Sequence, residues 1–177
     1  GNALGWEGGT ARTGDVDADT ALAACPQVPW ASLVVGERLG EGASGLIHRA
    51  HVASQPGQPL ALKLFKGAVT SYGLPGDELA ASLRAGRHPA LCTPVARATG
   101  HPQGLQAVLL PLIPPGYVSL AGPPSLDSCT RDVYAPGQVL PQPVCQRLAR
   151  TLAGAVAHLH AQGVMHGDLY AHNTDRK

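Results

Sequence analysis

The loop near the end of the sequence carries the most specific chemical signal. It reads His166-Gly167-Asp168, and Asn173 stands five residues beyond the aspartate. An aspartate on such a tight loop can accept or orient the proton of a substrate hydroxyl, while the asparagine oxygen can ligate a metal ion. The alternative is a polar turn in which both side chains only cap their own backbone. The spacing favours the first interpretation.

A second signal is the segment LGEGASGLI, residues 39–47, which has glycines at positions 40, 42 and 45. Dinucleotide-binding loops use the same spacing, but they open a helix and expect a carboxylate about twenty residues on. Here a short β-branched run, residues 46–52, is broken by Pro56-Gly57, and no such carboxylate follows. The pattern indicates a glycine-rich turn between two strands that can lie close over phosphates. An ordinary glycine-rich hairpin is the alternative.

A third signal is Lys63, which lies inside the apolar segment LALKLFK, residues 60–66. A lysine buried in a strand is costly unless an anion meets it. On the strand after a glycine-rich hairpin, Lys63 is well placed to contact the α- and β-phosphates of a nucleotide, with a carboxylate to hold it. The alternative is an edge-strand lysine whose amine reaches solvent, and we expect that behaviour of Lys66.

Together these parts stand in the order glycine hairpin, strand lysine, helix glutamate, long helix and Asp-x-x-x-x-Asn loop. This set resembles the protein kinase family, from about Val34 to Asn173. Ala61-Leu62-Lys63 is similar to the Ala-Ile-Lys of that family's third strand, and Arg87-His88-Pro89 is similar to the His-Pro after its helix C. The stretch HGDLYAHN, residues 166–173, resembles a bacterial kinase variant found alongside leucine-rich repeats.

The resemblance implies an ATP-dependent kinase domain that transfers the γ-phosphate to a protein hydroxyl, with Lys63 and Asp168 as catalytic residues. It implies that Asn173 holds Mg²⁺ and that Glu78, with Asp77 as a rival, holds Lys63. The implied partners are ATP, a protein substrate and, in the parent protein, leucine-rich repeats. The implied ATP site comprises Gly40, Glu41, Gly42, Ala43, Ser44, Gly45, Ile47, Ala61, Lys63, Glu78, Leu110 and Leu112.

Departures from the family pattern keep two other functions open. Gly167 replaces the usual arginine, Tyr170 replaces the lysine of serine/threonine kinases, and no Asp-Phe-Gly follows Asn173. These features favour a pseudokinase or ATP-binding interaction module, and we expect the chain as given to be inactive. A small-molecule phosphotransferase of the aminoglycoside or choline kinase type also uses His-Gly-Asp-x-x-x-x-Asn, but it generally lacks the three-glycine loop. Zinc bound by His166 and His172 is disfavoured.

The elements that must position these residues follow from hydrophobic periodicity and turn signals. A short helix is predicted after Gly76, with Asp77 as its N-cap and Leu79 and Leu83 on one face. A long helix is predicted from Pro143 at its first position to Gly163 just after its end, with one apolar stripe. The stripe is Leu148, Leu152, Val156 and Leu159, and the predicted strands are 33–39, 46–52, 59–65, 95–99 and 105–110.

These elements predict an α+β, protein kinase-like fold. A five-stranded antiparallel N-lobe sheet with helix C would be followed by the first helices of an incomplete α-helical C-lobe. Residues 1–29 are predicted as a linker or mobile arm, residues 30–113 as the N-lobe and hinge, and residues 114–177 as the start of the C-lobe. Because the last segment stops before Asp-Phe-Gly, we expect the stripe of the long helix to be poorly covered.

Composition limits the partners and the compartment. Thirteen Lys and Arg against twelve Asp and Glu give a net charge of +1, which argues against nucleic acid and anionic membranes as partners. No apolar run approaches the length of a membrane-spanning helix. Four widely separated cysteines, with no CxxC spacing, favour a reducing compartment. We therefore expect a soluble cytoplasmic protein.

Overall fold

The computed structural model describes residues 20, 23–42, 44–67, 74–126, 128–129 and 132–177. Six strands form the main sheet, with helix α1, Pro75–Ala85, between the fourth and fifth. Helix α2, Gln142–Ala161, follows the sheet. The six strands are β1 Gln27–Pro29, β2 Leu33–Glu41, β3 Gly45–Val52, β4 Leu60–Phe65, β5 Ala96–Thr99 and β6 Ala107–Pro111. This mixed α+β arrangement is compatible with a kinase-like fold.

The sheet has the order β1-β5-β6-β4-β3-β2, and its strands β2 to β6 pair antiparallel as predicted. The prediction of five strands was wrong by one, because β1 adds a sixth strand parallel to β5. β1 lies in the segment predicted as a linker, residues 1–29, and the neighbouring Cys25 is buried. Three residues ending in Pro29 are too few to show a strand period, which is why the sequence did not indicate this strand. Residues 1–19 lie outside the described residues.

Alternation along the strands divides the core into two clusters, one on each face of the sheet. Leu62 and Leu109 are fully buried on one face, with Ala50, Ala96 and Ala107 beside them. On the other face, Phe65 and Val108 pack against Cys25 and against Leu79 of α1. Because successive side chains of a strand point to opposite faces, Lys63 lies on the same face as Phe65, toward α1.

Helix α1 begins at Pro75, three residues before the start that an N-cap at Asp77 predicts. Leu74 is the N-cap and Pro75 takes the first helical position, so the prediction of Asp77 as N-cap was wrong. Proline suits that position because its missing N–H would have no partner there. Asp77 and Glu78 both lie in the first turn, where carboxylates interact favourably with the helix dipole.

Helix α2 begins at Gln142, so Pro143 takes its second position rather than its first. The helix ends as predicted, because Gly163 follows the C-cap Gln162 with a φ of +65°. Of the predicted apolar stripe only Leu159 is buried, together with Ala155. The other three stripe residues, Leu148, Leu152 and Val156, are half-buried.

Helix α2 is the one α-helix that the described part of residues 114–177 contains, although the sequence predicts more than one there. A small two-stranded sheet pairs β7, Val118–Ser119, with β8, Asp175–Arg176. Through this pairing, residues 175–176 lie beside the connection that follows β6. None of the described helices combines the length and the apolarity that a membrane span needs.

Candidate active site

The register of the sheet places several predicted nucleotide-binding residues on one face. Gly40 of β2 pairs with Ile47 of β3, and Ile47 pairs with Lys63 of β4. In the adjacent row, Ala61 of β4 pairs with Leu110 of β6. Directly paired residues of antiparallel strands point to the same face, and so do alternate residues of one strand. Four strands therefore contribute to a single surface around Lys63.

Lys63 is held by a carboxylate from helix α1. Its Nζ donates to Oε1 of Glu78, and the same ammonium lies 4.8 Å from the centroid of the Phe65 ring. The Lys63 side chain is 17% exposed and that of Glu78 is 38% exposed. Asp77, the rival partner in the sequence, is exposed. Alternation along β4 places Lys63 on the face of the sheet toward α1, and the carboxylate of Glu78 neutralises its charge there.

The glycine-rich turn joins β2 to β3 and is closed by backbone hydrogen bonds. The N–H of Gly42 donates to the carbonyl of Gly45 at 2.9 Å, and the N–H of Lys66 donates to the carbonyl of Ser44 at 3.1 Å. Ala43, predicted in this loop, lies outside the described residues. The turn therefore continues the sheet as a hairpin, as the sequence indicates.

Packing requires a glycine at one of the three glycine positions of the turn and not at the other two. A Cβ added to Gly45 would lie 2.5 Å from the backbone oxygen of Leu64, whereas a Cβ at Gly40 or Gly42 would meet no atom within 4 Å. Close pairing with β4 thus requires a glycine at position 45. Gly40 and Gly42 are not required by packing, and they leave the backbone of the loop open to close approach.

Glu41 of the same loop binds two cations. Nζ of Lys66 donates to its Oε1 at 2.5 Å, and Nη1 of Arg38 donates to its Oε2 at 3.0 Å. The hydrogen bond from Lys66 is the main reason that the pKa of the Glu41 carboxyl is below its ordinary value. The side chain of Lys66 is exposed, as expected, but it lies past the end of β4 and pairs with the loop. The sequence interpretation of Lys66 missed this pairing.

The loop after helix α2 brings Asp168 and Asn173 together. Nδ2 of Asn173 donates to Oδ2 of Asp168 at 2.8 Å and to the Asp168 carbonyl at 3.1 Å. Gly167, with a φ of +75°, makes the turn before the aspartate in a region that other residues rarely adopt. Since the amide nitrogen of Asn173 makes these bonds, its amide oxygen remains outside them.

The chemistry of this donor set suits a magnesium ion. Mg²⁺ prefers oxygen ligands and is usually bound by one or two side chains, together with waters and substrate phosphates. The carboxylate of Asp168 and the amide oxygen of Asn173 are donors of this type. Across the described ranges, no three His, Cys, Asp or Glu side chains form a metal-binding group. His166 accepts from the N–H of Asp168 at 3.3 Å, and His172 contacts Asp132.

Asp132 is a residue of this region that the sequence interpretation missed. Its Oδ2 accepts the N–H of Ala171 at 2.8 Å, and its Oδ1 accepts the N–H of His172 at 3.3 Å and the ring Nδ1–H of His172. The His172 ring is the main reason that the pKa of the Asp132 carboxyl is below its ordinary value. Asp132 lies in a connection rich in Pro and Gly, and no periodicity or motif there singled it out.

The two groups of residues are connected through the helices. Nε2 of His158 in α2 donates to the carbonyl of Ala85 in α1 at 2.7 Å, and Nε of Arg84 donates to the carbonyl of Gln162 at 3.0 Å. Within the described ranges, no hydrogen bond joins Lys63 to Asp168. Two cavities, of about 390 and 330 Å³, are lined by residues of 119–138 and of 87–111, respectively, and neither is lined by Lys63 or Asp168.

Comparison with protein families matches residues 119–174, about a third of the chain, to the lipopolysaccharide kinase (Kdo/WaaP) family. The matched range contains Asp132, helix α2, Asp168 and Asn173. No curated protein matches the chain. The family match supports a kinase-like phosphotransferase, and a kinase implies ATP as the phosphoryl donor together with a divalent metal ion.

Proposed function

We propose that this chain forms the nucleotide-binding and catalytic-loop parts of an ATP-dependent phosphotransferase that acts on a hydroxyl group. The observation that carries the proposal is the pair of contacts made by the two predicted catalytic residues. Lys63 is neutralised by Glu78 next to the glycine-rich turn, and Asp168 is bonded to Asn173 on a tight loop. Each predicted catalytic residue is thus hydrogen-bonded to another residue of the proposed site, Lys63 to Glu78 and Asp168 to Asn173.

In this proposal the sheet face around Lys63 binds ATP. Gly40 and Gly42 let the backbone of the hairpin approach the phosphates, and Ala61, Leu110 and Leu112 contact the adenine. The ammonium of Lys63 contacts the α- and β-phosphates, and Glu78 fixes its position. Because phosphoryl transfer depends mainly on positioning and electrostatic stabilisation, these contacts are the main contribution of the sheet.

The loop supplies the groups for the acceptor. Asp168 accepts the hydroxyl proton as the acceptor oxygen forms its bond to the γ-phosphorus, and the bond from that phosphorus to the bridging oxygen breaks to release ADP. A bound magnesium ion, held by the amide oxygen of Asn173, would neutralise charge on the phosphate oxygens. Asn173 also donates to Asp168 and so restricts the orientation of its carboxylate.

The acceptor that we favour is a sugar hydroxyl of a saccharide or lipopolysaccharide. The support is the match of residues 119–174 to the lipopolysaccharide kinase (Kdo/WaaP) family, together with Gly167 in place of the arginine usual in protein kinases. A protein hydroxyl is the second candidate, favoured by the intact Gly40-x-Gly42-x-x-Gly45 turn. The two candidates share the donor site and differ only in the acceptor.

The test measures transfer from γ-labelled ATP in the protein as its gene encodes it, offering lipopolysaccharide and a mixture of unfolded proteins as separate acceptors. We expect label on the saccharide, and we expect Lys63→Met and Asp168→Asn to abolish it while both variants remain folded. Lys177→Met is the matched control and should transfer normally. Label on protein alone would select the second acceptor, and unchanged transfer by Lys63→Met would reject the assigned donor site.

Binding is measured separately on the 177-residue chain by titration calorimetry with Mg–ATP. Binding that is lost in Lys63→Met, without transfer to either acceptor by the gene's product, would instead support an ATP-binding interaction module. Absence of binding would contradict the proposal as a whole.

A further inference from the structure

The turn that carries Asn173 is fixed by a side chain from a distant part of the chain. Residues Ala171–Asn173 form one 3-10 turn, which ends in Thr174. Asp132, 39 residues before Ala171, accepts from the N–H groups of Ala171 and His172 and from the His172 ring. The side chains of Asp132 and His172 are only 13% and 18% exposed. The contact is therefore shielded from water, where such hydrogen bonds are stronger.

Short-range bonds also link Asp168 to Asn173 through the backbone, and the Thr174 carbonyl accepts the N–H of Leu120 at 2.9 Å. The N–H of Tyr170 donates to the Asp168 carbonyl at 3.2 Å, and the N–H of Asn173 donates to the Tyr170 carbonyl at 3.1 Å. The Thr174 hydroxyl donates to the same Tyr170 carbonyl at 2.9 Å. Asp132 adds a long-range attachment to this local network, and it does so at the two residues that immediately precede Asn173.

A carboxylate suits this position better than any neutral side chain. Its two oxygens offer about four acceptor sites and no donor, and here they meet three N–H groups. Hydrogen bonds to an ionised acceptor are about twice as strong as those between neutral groups. An amide of the same shape would present an NH₂ group to at least one of these N–H donors.

We infer that Asp132 is a positioning residue for phosphoryl transfer, which holds the turn Ala171–Asn173 so that the Asn173 side chain stays against the Asp168 carboxylate. The inference rests on the proposed function for its catalytic consequence. Asp132 does not touch the reacting atoms and acts only through the turn. Because partners that orient a ligand typically change affinity or activity 10- to 100-fold, we expect a fall of about that size in kcat on its removal.

The experiment compares Asp132→Asn with the unaltered protein and with Asp77→Asn, a matched control on the exposed side of α1. Amide hydrogen exchange is measured by NMR for Ala171, His172 and Asn173, together with the side-chain NH₂ of Asn173. In Asp132→Asn we expect exchange at these sites to accelerate at least tenfold, while amides within helix α2 remain protected. Asp77→Asn should change none of them. Asp132→Glu, which keeps the carboxylate, should restore part of the protection and provides a second variant if Asp132→Asn folds poorly.

The kinetic readout separates positioning from general damage. We expect Asp132→Asn to lower kcat more than it raises KM for Mg–ATP, because most of the proposed donor contacts lie on the sheet and only the magnesium ligand Asn173 lies on the turn. Unchanged exchange at residues 171–173 would overturn the inference, and so would accelerated exchange with an unchanged kcat. Accelerated exchange in a protein whose unaltered form transfers no phosphate would leave the structural attachment in place and reject the proposed function instead.

Discussion

Lys63, on strand β4, donates a hydrogen bond from its ammonium to a carboxylate on helix α1. Its ammonium meets Glu78 from helix α1 and lies over the ring of Phe65, two residues along the same strand. The mostly buried lysine is thus neutralised and oriented by groups of the chain itself. Under the proposed function, the carboxylate of Glu78 matters for positioning the charge of Lys63 more than for stability.

Replacement of Glu78 by Gln tests this role. A hydrogen bond to a charged group contributes about 1.5–3 kcal/mol, and partial exposure of Glu78 favours the lower end of that range. We therefore expect Glu78→Gln to weaken Mg–ATP binding by about tenfold, measured by calorimetry. Asp77→Asn, one residue earlier on the same helical turn, should change the affinity by less than twofold. Equal effects of both variants would contradict a specific role for Glu78.

The buried thiol of Cys25, near the start of the described residues, should make the stability of the chain depend on pH. Burial raises the pKa of its thiol above the ordinary value, an effect that nearby Arg97 opposes. The folded thiol thus ionises at higher pH than the unfolded one, and its contribution to stability is complete below pH of about 9. Above that pH the unfolded state gains thiolate, so stability falls as pH rises through the titration range.

We expect the free energy of unfolding of the unaltered chain to fall more between pH 7 and pH 10 than that of Cys25→Ala. Urea denaturation at the two pH values measures this difference, and the comparison removes contributions from other groups that titrate in the same range. Cys145→Ala, at an exposed cysteine, is the control and should keep the full pH dependence. Equal pH dependence in Cys25→Ala would show that the thiol is not linked to folding.

At the scale of elements, the hairpin between β2 and β3 contains one glycine that packing requires and two that packing does not require. Gly45 lies against the backbone of β4, whereas Gly40 and Gly42 have free space around them. The sequence motif alone does not distinguish these positions, because all three carry the same letter. The distinction depends on the register between β3 and β4, which pairs Gly45 with Phe65.

We expect Gly45→Ala to destabilise the chain by about 1–3 kcal/mol, because the new methyl group would overlap a backbone oxygen that cannot move freely. Gly40→Ala should change stability by less than about 0.5 kcal/mol and should instead reduce affinity for Mg–ATP. Chemical denaturation and calorimetry measure the two effects separately. A stable Gly45→Ala variant would contradict the close pairing of β3 with β4.

At the scale of the whole molecule, hydrogen bonds between the ends of α1 and α2 link the helix that carries Glu78 to the helix that precedes the Asp168 loop. The carbonyl of Ala85, in the last turn of α1, has no acceptor role inside its own helix and receives the ring N–H of His158. Arg84 binds the carbonyl of Gln162 just before Gly163 turns the chain toward the loop. Helix α1, which holds Glu78, is thereby attached to the helix that leads to Asp168.

Removal of the His158 ring tests this attachment. His158→Ala leaves a partly buried carbonyl without its donor, and we expect a loss of about 1–3 kcal/mol in the free energy of unfolding. His160→Ala, two residues along the same helix at an exposed position, should lose less than about 0.5 kcal/mol. Urea denaturation of both variants provides the comparison. Equal losses would indicate a general effect on helix α2 and would contradict the contact.

The sequence predicted the parts of the molecule that depend on local pattern. Strands β2 to β6 and the end of α2 at Gly163 follow from alternation and turn residues. The contact between Lys63 and Glu78 is instead what the resemblance to protein kinases implies. Strand β1 was missed because three residues carry no period, and its parallel partner lies about seventy residues away. Asp132 was missed for a related reason, since its contacts cross 39 and 40 residues of irregular chain. Contacts of this kind depend on how the chain folds back on itself, which a local sequence pattern does not show.

Strand β2 lies at the open margin of the main sheet, and its register with β3 is interrupted twice, between Val35 and Arg38 and between Arg38 and Gly40. The interior strands β3 to β6 each have a neighbour on both sides, whereas β2 has one. Lifting the tip of β2 therefore breaks one ladder that is already irregular, together with the exposed pair of Glu41 and Lys66. Under the proposed function this tip covers the nucleotide, so its movement would admit ATP and release ADP.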